Sequence, residues 1–116
     1  MTMTSPALPD EKKLCVIYRL EPGCLGPNGH DHIKDFCVFA DKALRSFDSA
    51  FVIWKVQSRD DKSLPEMEYT INNKRLSRDK ADRYLALMGK NIDDFEAYIH
   101  EDISHMIEDF FSGTAI

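Results

Sequence analysis

Leu14, Val16, Tyr18 and Leu20 alternate with Cys15, Ile17 and Arg19, which predicts a β-strand over 14–20. Cys15 and Ile17 make its second face apolar as well. Glu21-Pro22-Gly23 stops the strand, and Cys24 to Gly29 (Cys-Leu-Gly-Pro-Asn-Gly) is a turn-rich loop. From Asp31, a good N-cap, the period changes. Ile33, Phe36, Cys37, Ala40, Leu44 and Phe47 recur at helical spacing, with Lys34, Asp35, Asp41, Lys42 and Arg45 on the opposite side.

Phe51 to Val56, containing Val52, Ile53 and Trp54, predicts a second strand that is apolar on both faces. After the polar stretch Arg59 to Pro65, Met67, Tyr69 and Ile71 alternate with Glu66, Glu68 and Thr70, the pattern of a half-buried strand. Asn72-Asn73 supplies the positive φ angles of a tight hairpin turn into a short return strand, Lys74-Arg75-Leu76. Ser77 caps a helix with Ala81, Tyr84, Leu85 and Met88 on its inner face, and Gly89 fits the position that ends it. Asn91 caps the last helix. Its stripe is Ile92, Phe95, Ile99, Ile103, Met106 and Phe110, widened by Ile107 and Phe111.

The order β-α-β-β-(β)-α-α predicts an α+β domain with a small, predominantly antiparallel sheet. A split β-α-β, with the third strand between the first two, is the simplest arrangement, and two C-terminal helices follow. One domain is expected over 13–112. A flexible N-terminal tail over 1–12, containing Pro6 and Pro9, and a short C-terminal tail over 113–116 flank it. One helix covers one sheet face. The apolar second face of the first two strands then needs either the C-terminal helices or a second subunit.

Composition narrows the class. A chain of 116 residues that is 43% hydrophobic is too apolar for a disordered protein, and a domain this size buries about two-thirds of its unfolded surface. The formal charge of −5 argues against a nucleic-acid binder. Charge is also unevenly spread: Lys74 to Lys90 is net +4, whereas seven acids and no Lys or Arg follow from Asn91 onward. Either neighbouring helices neutralise one another or the polarised surface orients a partner. Tyr84, the one aromatic in the basic stretch, falls on a core stripe, so nucleic-acid binding is not expected. Three cysteines, no basic n-region and no apolar run long enough to span a bilayer lead to the expectation of a soluble cytoplasmic protein.

Chemistry-bearing residues concentrate at Cys24, His30, Asp31, His32 and Cys37. Their spacing matches no zinc finger or ribbon, and no metal or cofactor is expected. Gly26, Asn28 and Gly29 precede a helix start, where free N–H groups attract anions, but they form no phosphate-loop fingerprint. With Cys24, His30 and His32 they make up the weak ligand-binding set. Cys24 with His30 or His32 would form a thiol–imidazole pair. In the last helix His100 and His105 are five apart and do not share a face as a zinc-hydrolase pair would; the expectation there is a solvated acidic face. Absent a catalytic signature, the leading expectation is a non-enzymatic interaction or regulatory domain that forms a homodimer. The alternative is a small-ligand or thiol-enzyme site in the Cys24 to His32 loop.

Overall fold

The computed structural model describes residues 8–112. Strand β1 (Leu14–Leu20) runs through a 3-10 turn at Pro22–Leu25 into α1 (Gly29–Leu44). Then come β2 (Val52–Ser58), β3 (Met67–Ile71), β4 (Lys74–Leu76), α2 (Arg78–Leu87) and α3 (Ile92–Ser112). The class is α+β, and the element order is the expected one.

The strand order is not. The sheet reads β2-β1-β3-β4, with β1 parallel to β2 and antiparallel to β3. The first strand, not the third, is therefore central, so the split β-α-β is replaced by an adjacent parallel pair and the sheet is mixed. The polar segment after β2 is long enough to pass the end of β1. Two backbone bonds hold it there: Arg59 N–H donates to the Leu20 carbonyl (2.8 Å), and Arg19 N–H donates to the Glu66 carbonyl (2.7 Å). The central place goes to the strand with the most fully buried positions, which a flanking strand on each side protects.

Local signals act as their chemistry requires. Asn72 (φ 51°) and Asn73 (φ 67°) turn the β3–β4 hairpin. The Ser77 hydroxyl accepts from Lys80 N–H, and the Asn91 side chain accepts from Asp94 N–H, capping α2 and α3. Gly89 takes φ 77° where α2 ends. Helix α1 begins two residues before Asp31, with Asn28 at the cap position. Asp31 lies instead in the first turn, where its charge favours the helix dipole. Residues 8–12 are tied to the domain through Leu8 N–H on the Ala50 carbonyl and a 3-10 turn at Asp10–Lys12. Residues 1–7 and 113–116, the rest of the expected tails, lie outside the described residues.

All three helices share one side of the sheet. Register aligns Trp54, Val16, Tyr69 and Leu76 in one row, with Val56, Tyr18 and Met67 in the next. Phe36, Ala40 and Leu44 of α1, Ala81 and Leu85 of α2, and Phe95, Ile99 and Ile103 of α3 join the same core. Trp54 stacks between Phe47 (5.8 Å) and Phe95 (5.4 Å), and its indole N–H donates to the Phe47 carbonyl. Phe110, on the stripe of α3, fills the seam between α1 and α3 against Phe36 and Phe39. The C-terminal helices thus close the face that α1 already covers, and leave the opposite one.

Candidate functional site

The Cys24 to His32 loop does not act as one unit. Cys24 is exposed and lines a cleft of about 400 Å³ with Glu21, His30, Arg59, Asp60 and Lys62. This cleft lies beyond the carboxyl ends of the parallel strands β1 and β2, beside the N-terminus of α1. Its charges are balanced, because Glu21 stands 3.4 Å from Lys62 and 3.8 Å from Arg59. His30 shares the cleft with the thiol. His32 does not: it packs edge-on against Phe110 and Phe111.

The glycines of the loop have backbone tasks. Gly26 takes φ 93°. Gly29 is buried against the 3-10 turn, and a Cβ there would lie 1.7 Å from the Pro22 carbonyl oxygen. Asn28 is exposed at the head of α1, and its side chain caps nothing. Cys37 is half-buried on α1, and burial, followed by Asp41 and Asp60, pushes its thiol up to about 11. Among the described residues no three His, Cys, Asp or Glu side chains converge as metal ligands.

The uncovered sheet face is the larger feature. Opposite the core, register sets Ile53, Cys15, Thr70 and Arg75 in one row and Lys55, Ile17 and Glu68 in the next. Cys15, Ile17 and Ile53 are only partly buried, and no helix among the described residues covers them. With Lys13, Thr70 and Asn72 they line a depression of about 470 Å³. At its upper end Arg19, 7% exposed, is held under the crossing segment. Its guanidinium donates to the Pro65 carbonyl and to Glu68 at 2.9 Å, and Glu68 also takes Arg75 at 3.2 Å. Burial alone would raise the Glu68 carboxyl, but the two guanidinium groups outweigh it and hold it below its ordinary value.

Neither sheet edge invites a further strand. On β2 the outward Val56 N–H is taken by the Asp41 carboxylate at 2.8 Å. The other edge, β4, has three residues, two of them Lys74 and Arg75. Short, charged or covered edges resist pairing.

On α3, His100 is exposed, as the expected solvated face requires, and it also reaches the sheet. Nδ1 lies 2.7 Å from the buried Tyr18 hydroxyl, and Nε2 lies 3.9 Å from Glu66. Sequence spacing within α3 could not reveal this, since the partner is on β1. The basic and acidic stretches meet at Arg78, whose guanidinium bonds Asp93 at 2.6 Å and Glu96 at 3.1 Å. Part of the charge asymmetry is therefore neutralised within the domain. Among the described residues no helix is long and apolar enough to cross a membrane. Comparison of the chain with protein-family models, curated proteins and solved structures returned no match.

Proposed function

We propose that this protein is a non-enzymatic interaction domain that forms a homodimer through its uncovered sheet face. The carrying observation is the partly exposed apolar patch of Cys15, Ile17 and Ile53 on that face. Because β1 is central, a two-fold axis along it sets Ile17 against its own copy. The same axis leaves Lys55 and the Glu68–Arg75 pair at the rim of the contact. The neighbouring row meets likewise, Cys15 on Cys15 and Ile53 over Thr70. An isologous contact requires this kind of self-complementarity, and partly exposed apolar groups rimmed by charge are the usual makings of an interface.

Sedimentation equilibrium tests the reading. The expected mass is twice 13.4 kDa at micromolar concentration, and Ile17→Lys should shift it to the monomer while the far-UV spectrum is kept. A 13.4 kDa species at every concentration overturns it.

The cleft at Cys24 supports a second reading, a small-ligand or thiol-dependent site using Cys24 and His30. It requires Cys24→Ser and His30→Ala to abolish a ligand-dependent spectral or catalytic signal without changing the mass.

A further inference from the structure

We infer that a second hollow, on the helical side of the domain, is a binding site for a small organic cation carrying an ammonium or guanidinium group. The hollow measures about 380 Å³, and Phe47, Asp48, Lys90, Asp94, Phe95 and Tyr98 form its walls. That volume lies within the ordinary range for small-molecule sites. None of these residues belongs to the open sheet face, so the inference stands apart from the homodimer reading.

Three observations converge on a cation. The first is the aromatic wall. Tyr98, 52% exposed, stacks on Phe47 at 4.8 Å, and Phe47 continues through Trp54 to Phe95 in one stacked series. Aromatic faces attract ammonium and guanidinium groups through the ring quadrupole.

The second is Asp48. Its backbone is held in the left-handed region at φ 52°, with its carbonyl accepting from the N–H groups of Phe51 and Val52. One carboxylate oxygen stands 3.5 Å from Lys90 Nζ; the other is buried without a hydrogen-bond partner among the described residues. Asp48 thus brings a carboxylate to the wall with Lys90 as its one ion-pair partner among the described residues.

The third is the surrounding charge. The walls hold two carboxylates, Asp48 and Asp94, against one ammonium, Lys90. Beyond Tyr98, an adjoining depression adds Glu101 and Asp102. At this helix start the N–H of Asp94 is already taken by the Asn91 side chain and that of Phe95 by the Asn91 carbonyl.

Lys90 then acts as a tethered competitor for the site. Its removal should tighten cation binding, whereas it would weaken the binding of an anion. This difference in sign makes the inference testable with substitutions at exposed positions.

Trp54 is the single tryptophan and stacks on two walls of the hollow, so its fluorescence reports occupancy. The full chain is titrated with benzylammonium, neutral benzyl alcohol and benzoate. Saturable quenching is expected with benzylammonium, about tenfold tighter than with benzyl alcohol. Asp94→Asn and Tyr98→Leu should each weaken it about threefold, and Lys90→Gln should tighten it by a similar factor. A parallel titration with N-acetylarginine amide distinguishes the sources of the charge. If it binds tighter than benzylammonium, the site selects a guanidinium; if weaker, an ammonium. Absence of saturable quenching by either cation, equal binding of alcohol and ammonium, or weaker cation binding in Lys90→Gln overturns the inference.

Discussion

The hydroxyl of Tyr18, on the central strand, is hydrogen-bonded to Nδ1 of His100, 82 positions further along the chain, at 2.7 Å. Burial, then the charges of Glu66 and Cys24, raise the phenol well above its ordinary value. It therefore keeps its proton, and the imidazole, bonded through Nδ1, turns Nε2 toward Glu66 at 3.9 Å. The two partners are unequally exposed: Tyr18 is 3% exposed, whereas the His100 side chain is 44% exposed. Tyr18→Phe returns His100 to water and should cost about 1 kcal/mol; His100→Leu strands a buried hydroxyl and should cost about 2 kcal/mol. Urea unfolding of both variants checks the order, and a larger loss for Tyr18→Phe would contradict it.

Glu68 should make the domain acid-sensitive. Its folded pKa is depressed from the usual 4.5, so its stabilising contribution is fully present above that value. As pH falls through the lower folded value, the contribution disappears. Glu68→Gln should therefore cost about 2 kcal/mol at neutral pH, where charge-assisted bonds from Arg19 and Arg75 are lost. Denaturation midpoints of the two proteins should converge as pH is lowered below 4.5. A constant gap across the acid range would show that the charge has no part in the effect.

Gly29 and Gly23 form a matched pair for testing the loop. An added methyl at Gly29 collides with the Pro22 carbonyl, while nothing lies within 4 Å of one at Gly23. Gly29→Ala should destabilise by about 2 kcal/mol through overpacking, and Gly23→Ala should leave the thermal midpoint within about 2 °C of the parent. Equal midpoints for the two variants would mean that the turn at Pro22–Leu25 shifts freely.

The three thiols should label in a fixed order. Cys24 is exposed, Cys15 is partly buried on the open face, and Cys37 is held protonated, with its thiol at about 11. Iodoacetamide followed by peptide mapping should find Cys24 first and Cys37 last. If two copies meet through the sheet face, Cys15 labelling should slow as protein concentration rises, whereas Cys24 labelling should not. Early alkylation of Cys37 would overturn the packing of α1.

What the sequence alone determined is what depends on neighbours within a few positions. The period-two run at 14–20, the paired asparagines at 72–73, the caps Ser77 and Asn91 and the stop at Gly89 all settle within a turn or a pleat. So does the contrast between loop Cys24 and helix Cys37. Alternation also assigned residues to faces, which is why Tyr69 could be placed inside. It has no bearing on lateral order, because a strand shows the same alternation at the centre of a sheet as beside it. Only the tertiary structure put β1 between β2 and β3, through the contacts of Arg59 with Leu20 and Arg19 with Glu66 across the crossing segment. Only it sent α2 and α3 to the side of α1, leaving Cys15, Ile17 and Ile53 uncovered. The bond from Tyr18 to His100 and the hollow at Asp48 belong to the same class. Each joins residues that no local period links, and each exists because packing against one shared core brings distant helices and strands within reach.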